Sequence, residues 1–312
     1  MKWLIGIDGG GTKTVAYAAG LTGEILGRLE KGPGNYHVTG LTEFKNLIAA
    51  IVAGLAAKCG QAPADLALIS MGLAGADRKR DQEMILAALA DLALNCPCII
   101  CSDAKIALVA GIGRAEGIML IAGTGSVAYG INDRQEVIRA GGWGHVASDE
   151  GSGYAIGRGA LTRAIRAHEG RDKDTRLMSL IIEHFGLRDW DELIGFINSP
   201  AATKARIASL ARLTADAARN GDAVAAEILL EAAAALAGLV ESVLTRGFAG
   251  KEPVPVCICG GILLHIAAVR TALAEKLRGK AELVTLQREP AVGALELGRN
   301  WLRDLNLDKG AM

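Results

Sequence analysis

One stretch near the start of the chain decides the fold: Leu4-Ile5-Gly6-Ile7-Asp8-Gly9-Gly10-Gly11-Thr12-Lys13-Thr14. The apolar run from Trp3 to Ile7 predicts a buried strand that ends at Asp8. Residues 15–17, Val-Ala-Tyr, favour a second strand because such residues suit a pleated surface. The glycines between the strands therefore form a β-hairpin turn, where backbone N–H groups can approach an anion with no side chain in the way.

Two better-known glycine loops do not match this turn. A Walker phosphate loop needs lysine directly after the last glycine of G-x-x-x-x-G, and here Thr12 stands between Gly11 and Lys13. A dinucleotide-binding loop needs a helix after its glycines, whereas the residues that follow here favour a strand. A glycine turn that binds no ligand remains an alternative for this motif taken alone.

The hairpin recurs 112 positions later in the chain. The matching segments are Gly11-Thr12 with Gly123-Thr124, and Val15-Ala16-Tyr17 with Val127-Ala128-Tyr129. Each copy has an apolar strand, a Gly/Thr turn and two further strands. A repeat of this length predicts two similar domains, each of which offers a phosphate loop to one cleft.

The composition excludes several classes of protein. The 312 residues are enough for two domains with cores of their own. Lys plus Arg and Asp plus Glu number 34 each, so no broad basic surface for nucleic acid is expected. We expect no membrane span, because no apolar stretch of 18 residues stands out, and no secretory signal, because Asp8 comes too early. Six cysteines do not make a disulfide framework in a chain this long, and we expect a cytoplasmic protein.

The order of predicted elements is the same in both halves: three strands, a helix, a strand, a helix and a strand. This order indicates an α/β fold of two ribonuclease-H-like domains around a central cleft. The predicted domains are residues 1–115, completed by a C-terminal helix over residues 291–312, and residues 116–290. The glycine-rich run from Gly141 to Gly153 is too long for an ordinary connection in such a domain, and loops of this kind are usually functional.

At these motifs the chain resembles the sugar-kinase, heat-shock-protein and actin ATPase fold. Within that fold it is similar to the BadF/BadG/BcrA/BcrD ATPase family, and most of all to N-acetylglucosamine kinases. The resemblance extends over nearly the whole chain. The resemblance rests on these motifs: Asp8 to Thr12, Asn35, Ser102-Asp103, Ala122 to Ser126, Gly141 to Gly153 and Gly260-Gly261.

The resemblance implies an enzyme that uses ATP and Mg²⁺ to phosphorylate an amino sugar. N-acetylglucosamine, phosphorylated at its 6-hydroxyl, is the first expectation, and glucosamine and N-acetylmuramic acid are the alternatives. The sequence departs from the animal N-acetylglucosamine kinases at one position. They carry asparagine after the second Gly-Thr-Gly-Ser, where this chain has Val127. A lost side-chain amide would change how the N-acyl group or a ring hydroxyl is bound.

The phosphate and metal sites are predicted at glycine turns. The expected nucleotide-binding residues are Gly10, Gly11, Thr12, Lys13, Gly123, Thr124, Gly125, Ser126, Gly260 and Gly261. By resemblance, residues 10–13 and 123–126 lie at the phosphates, and the Gly260-Gly261 turn lies on the adenine side. Asp8 is the expected Mg²⁺ ligand, because Mg²⁺ keeps several waters and needs few carboxylates. The alternatives are a turn-capping role for Asp8 and a plain strand-to-helix turn at Gly260.

Asp103 is the candidate general base. It follows the apolar strand 97–102, and ligands gather at the carboxyl edge of such sheets. A carboxylate at that edge can accept the proton of a sugar hydroxyl that attacks phosphorus. The alternative is an aspartate that caps the helix beginning near Ala104.

Sugar recognition is expected at Asn35 and at the long glycine loop. By resemblance, the sugar-binding residues are Asn35, Gly142, Trp143, Gly144 and Asp149. Trp143 either stacks on the sugar or forms a wall of the pocket, and His145 receives no role. The expected partner is a small-molecule sugar, without nucleic acid or membrane, and a homodimer stays open beside a monomer.

Two other classes of protein share this fold. An ATP-driven activator of a radical dehydratase or reductase holds an iron–sulfur cluster and carries a cysteine just before the second phosphate loop, where this chain has Ile121 and Ala122. A non-enzymatic sugar sensor usually adds a DNA-binding domain, and none is expected here. Metal binding at Cys96, Cys98 and Cys101 is disfavoured because alternate residues of a strand face opposite sides.

Overall fold

The computed structural model describes residues 1–76, 78–92, 94–251 and 253–310, with side chains through Leu305. The chain forms two compact units, residues 1–115 with 286–312, and residues 116–285. The second unit ends before the predicted boundary at residue 290. Residues 286–289 belong with the first unit, where the Glu289 carboxylate accepts hydrogen bonds from Arg28 and Tyr17.

The described residues form ten strands and twelve α-helices. The strands are β1 (Trp3–Gly9), β2 (Thr14–Gly20), β3 (Ile25–Lys31), β4 (Leu66–Leu73), β5 (Cys98–Ser102), β6 (Gly117–Ala122), β7 (Ser126–Ile131), β8 (Val137–Gly141), β9 (Val254–Cys259) and β10 (Ala281–Thr285). The helices are α1 (Tyr36–Thr39), α2 (Leu41–Cys59), α3 (Lys79–Ala90), α4 (Asp103–Ile112), α5 (Gly153–His168), α6 (Leu177–Phe185), α7 (Trp190–Ile197), α8 (Lys204–Arg219), α9 (Ala223–Gly247), α10 (Gly261–His265), α11 (Ala267–Lys276) and α12 (Pro290–Gly310).

Each unit is built on a five-stranded sheet, and the two sheets have the same strand order. The first sheet runs β3-β2-β1-β4-β5 and the second runs β8-β7-β6-β9-β10. In each sheet the first three strands form an antiparallel meander, and the last two strands run parallel to the central one. The predicted α/β fold is confirmed, and the repeat seen in the sequence is a repeat of whole sheets.

The central strand of the first sheet is buried on both faces, which fixes the position of Asp8 at its end. On one face, Trp3, Ile5 and Ile7 pack with the apolar side of α2. On the other face, Leu4 packs with Leu295 of α12. Because the strand is covered on both sides, its carboxyl end has little freedom to move.

The helical segments depart from the predicted elements in two places. The sequence from Arg80 to Leu94 predicts one helix, but α3 ends at Ala90, where Asp91 caps it and pairs with Lys45. The sequence from Gly261 to Leu277 predicts one helix, but the structure has two, α10 and α11, broken at Ile266. The Arg270 guanidinium donates to the carbonyls of Leu263 and Leu264, so the end of α10 is satisfied without continuing the helix.

Helix α9 corrects the expectation that no segment is apolar enough to span a membrane. Ala223–Gly247 meets that test by length and composition, with a mean hydropathy of 2.0 in its most apolar window. Of that window, 56% is buried within the unit. Val240 and Val243 are fully buried in the core of the second unit, so the apolar character of α9 is that of a core helix.

We expect Gly293→Ala to destabilise the first unit. A Cβ at Gly293 would overlap the Ile106 carbonyl oxygen and lie 2.7 Å from the Ala110 nitrogen, so α12 and α4 could not keep their spacing. Such overpacking lowers the free energy of unfolding by about 1–3 kcal/mol. Gly238→Ala is the matched control: Gly238 also lies in a helix, but with open space around it, and the change should stabilise by about 0.5–1 kcal/mol. Equal effects in chemical denaturation would contradict the close packing at Gly293.

Candidate active site

The first glycine turn joins β1 to β2 and organises the chain around it. Gly10 N–H donates to the Lys13 carbonyl at 3.0 Å, which closes the turn. The Gly10 carbonyl accepts from the N–H groups of Gly34 and Asn35, at 2.9 and 3.1 Å. Gly11 and Thr12 at the tip are exposed, and the sequence-predicted nucleotide turn therefore faces solvent.

Asn35 lies beside this turn because its backbone is bonded to Gly10. Its side-chain Oδ1 accepts from the His37 N–H at 2.9 Å and so caps α1. The residue is half-buried. The structure thus brings the predicted sugar residue of the first unit next to the predicted phosphate turn of the same unit.

Two other carboxylates, those of Asp103 and Glu289, influence the pKa of Asp8 at the edge of the first sheet. Burial raises the pKa of Asp8 to about 6, and the negative charges of Asp103 and Glu289 add to the increase, while Lys13 opposes it. Asp8 thus sits in a negative environment that disfavours its own charge. A cation placed beside Asp8 would relieve this repulsion.

Asp103 is the first residue of α4, and its side chain is exposed. The helix is capped by Ser102, whose Oγ accepts from the Lys105 N–H at 3.3 Å. The capping role considered for Asp103 therefore belongs to its neighbour. Asp103 Oδ1 accepts a hydrogen bond from the adjacent Ala104 N–H at 2.8 Å.

Glu289 is a residue of this region that the sequence did not reveal. It precedes α12, and its carboxylate is held by Arg28 at 2.8 Å through two nitrogens and by the Tyr17 hydroxyl at 2.6 Å. The Arg28 guanidinium and the other hydrogen bonds hold the pKa of Glu289 at about 2, so this group stays charged. No local motif marks it, because its partners lie more than 260 positions away in the sequence.

The second glycine turn, Gly123 to Gly125, is held by the start of α5. Gly123 N–H donates to the Gly125 carbonyl at 2.9 Å, and the Gly153 N–H donates to the Gly123 carbonyl at 2.7 Å. Thr124 at the tip is exposed. Ser126 is buried and donates its hydroxyl to the Glu150 carbonyl at 2.6 Å, so its side chain supports the turn from within.

Asp149 lies directly beneath this second turn. Its side chain is only 5% exposed, and its backbone adopts a φ of 67°, which is unusual for a residue other than glycine. Oδ1 accepts from the Ser126 N–H at 3.1 Å, and Oδ2 receives Lys204 Nζ at 2.7 Å. Both carboxylate oxygens of Asp149, which is predicted to bind the sugar, are thus bonded to other groups of the protein.

The glycine loop after β8 carries an exposed tryptophan. Trp143 is 76% exposed, and the Arg139 guanidinium lies 5.3 Å from its ring centre. Gly142 packs on Val127: a Cβ at Gly142 would lie 2.9 Å from Val127 Cγ2. Val127, which departs from the animal kinases, therefore supports the predicted sugar loop. Gly144 has a φ of 91° and open space around it.

The Gly260-Gly261 turn adjoins the second glycine turn. Gly260 has a φ of 93°, and a side chain there would overlap the carbonyl of Ala122, at the end of β6. After the turn, a cavity of about 460 Å³ opens between α8 and α10, with Gly261, Arg212 and His265 in its lining. The second unit thus brings together the turn predicted for phosphates, the turn predicted for adenine, and a cavity.

The described residues fit a magnesium ion better than an iron–sulfur cluster. Among the described residues, no group of three or more His, Cys, Asp or Glu is arranged to hold a metal. Mg²⁺ needs less, because one or two carboxylates with waters and substrate phosphates complete its shell. Asp8 offers a half-buried carboxylate in a negative environment. Burial raises the pKa of Cys98 and Cys101 to about 12, so both are thiols rather than thiolate ligands at neutral pH.

These features define a class of protein. Two sheets of equal order, each with a Gly/Thr hairpin turn after its central strand, are the actin-like ATPase fold of sugar kinases. The chain belongs to the BadF/BadG/BcrA/BcrD ATPase family, whose model matches residues 5–298. Membership of an ATPase family implies that the protein uses ATP.

Individual relatives are similar over nearly their whole length. An N-acetylmuramic acid/N-acetylglucosamine kinase of Clostridium acetobutylicum is 34% identical over 303 residues, 96% of this chain and 99% of the relative. An N-acetyl-D-glucosamine kinase of Dictyostelium discoideum is 30% identical over 312 residues, 95% and 97% of the two chains. The crystal structure of a candidate N-acetylglucosamine kinase from Chromobacterium violaceum has a TM-score of 0.68 and 25% identity, with coverage of 95% and 99%.

Proposed function

We propose that this protein is a cytoplasmic ATP-dependent kinase of an amino sugar, and that N-acetylglucosamine, phosphorylated at its 6-hydroxyl, is its first substrate. The observation that carries the proposal is the exposed carboxylate of Asp103 at the sheet edge where Asp8 is partly desolvated. The names of the two curated relatives support the class of substrate. Both are kinases of N-acetylated amino sugars.

In the first unit, Asp103 acts as general base and Asp8 holds the metal ion. Asp103 is rigidly placed because it follows β5 and opens α4. The exposed tip of the turn, Gly11 to Lys13, provides N–H groups for phosphate oxygens, and Gly10 closes the turn beneath it through its bond to the Lys13 carbonyl. Asn35 binds the sugar beside that turn. Mg²⁺, when bound with the nucleotide, neutralises the charge that develops on the phosphates.

In the second unit, the turn that begins at Gly123 binds phosphate at its exposed tip, Thr124, and Ser126 holds the turn in place through its bonds to Asp149 and Glu150. The Gly260-Gly261 turn and the cavity beside it receive the adenosine part of ATP. Its lining is mixed, with Arg212 and His265 next to Ala211 and Ile262, which suits a heterocycle and a ribose. Gly142, Trp143, Gly144 and Asp149 bind the sugar.

The reaction moves one phosphoryl group and one proton. The sugar hydroxyl oxygen forms a bond to the γ-phosphorus, and the bond from that phosphorus to the β–γ bridging oxygen breaks. The hydroxyl proton goes to the Asp103 carboxylate, and ADP leaves with the bridging oxygen. Water accepts the phosphoryl group less well than the sugar does, because the bound sugar oxygen is held in line with the phosphorus–oxygen bond that breaks.

A panel of sugars tests the proposal. We expect ATP consumption coupled to N-acetylglucosamine, with glucosamine and N-acetylmuramic acid as competing substrates, and product analysis should place the phosphate at the 6-position. The kcat/KM values of these sugars are expected to depend on how the site binds the N-acyl group. Val127, in contact with Gly142, cannot donate a hydrogen bond to an N-acyl oxygen. Val127→Asn should shift kcat/KM toward N-acetylglucosamine by about tenfold, the value of one net hydrogen bond. No sugar-dependent ATP consumption, together with stoichiometric iron in anaerobically purified protein, would favour the dehydratase-activator class instead.

A further inference from the structure

Lys204 occupies the oxygen of Asp149 at which a sugar would have to bind. Its Nζ lies 2.7 Å from Asp149 Oδ2. Lys204 is the first residue of α8, whose N-cap Thr203 accepts from the Arg206 N–H. Its side chain is 33% exposed against 5% for Asp149, so the lysine covers the carboxylate from the solvent side.

The other oxygen of Asp149 is closed to a ligand. Oδ1 accepts from the Ser126 N–H, and a Cβ at Gly125 would lie only 2.7 Å from it. A sugar hydroxyl that donates to Asp149 must therefore reach Oδ2, where Lys204 now lies. Because the side chain of Asp149 is only 5% exposed and the lysine covers it from the solvent side, the sugar and Lys204 compete for the approach to this atom.

A displaced ammonium group needs another anion nearby, because an unpaired charge next to a buried site is costly. The turn Gly123 to Ser126, proposed to hold the phosphates, lies directly above Asp149. Ser126 of this turn donates its N–H to Asp149 Oδ1. Lysine has a flexible stem and three donors, so it can move from one anion to another without losing its proton.

We propose that sugar binding at Asp149 transfers Lys204 from that carboxylate to the phosphoryl group being transferred. This inference rests on the proposed kinase function and deepens it. Lys204 is a positioning residue in the sugar-free protein and contacts the γ-phosphoryl oxygens only once the sugar has arrived. It stays protonated, and the bonds made and broken are those of the phosphoryl transfer described above. The consequence is coupling: sugar tightens nucleotide binding, and nucleotide tightens sugar binding by the same factor.

The test is a binding cycle on wild type and Lys204→Met. Calorimetry gives the Kd of N-acetylglucosamine with and without an ATP analogue that has an imido β–γ bridge. Wild type should bind the sugar about 5–150-fold more tightly with the analogue, the usual range of such coupling. Lys204→Met should bind the sugar alone as tightly as wild type or more tightly, because the competitor is gone, and the coupling factor should fall to about 1.

Three variants keep the result interpretable. Lys204→Gln can still donate to Asp149 but lacks the charge, so it should also lose coupling, even where the methionine variant folds poorly. Lys204→Arg should recover part of it. Lys280→Met removes a surface lysine that pairs with Glu241 at 2.6 Å in the same unit, and it should behave as wild type.

Two outcomes separate this inference from the proposed function. If Lys204 only neutralises Asp149, Lys204→Met will weaken sugar binding and leave the coupling factor unchanged, which overturns the inference while the kinase activity of wild type stands. If wild type neither binds nor phosphorylates any amino sugar, the proposed function fails, and this inference fails with it.

Discussion

Asp103→Asn is expected to lower kcat by about 10²–10⁴-fold, the usual contribution of a general base, while nucleotide binding stays near the wild-type value. Asparagine has nearly the same shape as aspartate, but its amide cannot take the proton of the sugar hydroxyl. The fold should survive because Ser102, and not Asp103, caps α4. Steady-state kinetics with N-acetylglucosamine and calorimetry with an ATP analogue give the two quantities.

The control for this substitution is Asp91→Asn in the same unit. Asp91 is exposed like Asp103, and it caps the C-terminal end of α3 and pairs with Lys45 of α2 at 3.0 Å. We expect full activity from this variant. A folded Asp103→Asn protein that phosphorylates the sugar at a near-normal rate would remove Asp103 from the mechanism.

Asp8→Asn is expected to lower Mg²⁺-dependent kcat/KM by about 10²-fold or more, since metal stabilisation of phosphoryl charge is worth several kcal/mol. The wild-type pH profile should reflect the same group. The Asp8 carboxyl has a pKa of about 6 in the folded protein without metal, so metal binding should weaken below that pH as the carboxyl takes up a proton. Raising the Mg²⁺ concentration should extend activity to lower pH, because the cation competes with the proton.

The same substitution should stabilise the metal-free protein. The pKa of Asp8 rises from 3.8 to about 6 on folding, so the folded state binds more protons than the unfolded state between these values. Stability is therefore lost as the pH rises through this window, and the full cost, at most about 3 kcal/mol, is present above pH 6. Asp8→Asn removes that cost.

Urea denaturation in the presence of a chelator measures this effect. Asp8→Asn should be more stable than wild type at pH 7.5, and the difference should shrink at pH 5. Asp65→Asn, at an exposed aspartate that pairs with the amino group of Met1 at 3.1 Å, is the control and should show no such gain. A loss of activity without a gain in stability would mean that Asp8 is needed for structure and not held against a charge penalty.

Much of the fold could be predicted because the pattern of apolar residues is local. The run from Trp3 to Ile7 and its copy after Gly117 predict central strands, and the glycines after them can only be turns. The break at Ile266 could not be predicted, because it depends on Arg270 reaching back to two carbonyls. A guanidinium contact of this kind depends on the folded geometry and leaves no periodic signal.

Some residues of the candidate site could be predicted from the sequence, and others could not. Asp8 and Asp103 were visible because each follows an apolar strand, and position in a strand is a sequence property. The engagement of Asp149 by Lys204 was not visible, since 55 positions separate them and neither lies in a shared motif. Glu289 was hidden for a similar reason: its partners Arg28 and Tyr17 come from β3 and β2.

The division of the chain has a consequence for its synthesis on the ribosome. The second unit is one continuous segment, residues 116–285, but the first unit is completed by residues 286–312. Until α12 emerges, the face of the first sheet that carries Leu4 and Leu68 lacks Leu295, its covering side chain. At about 5–20 residues per second, the nascent first unit waits roughly ten to forty seconds with that apolar face uncovered. Chaperones that bind apolar surface are expected to engage this protein early, at its first sheet, and to release it only after α12 has emerged and covered that face.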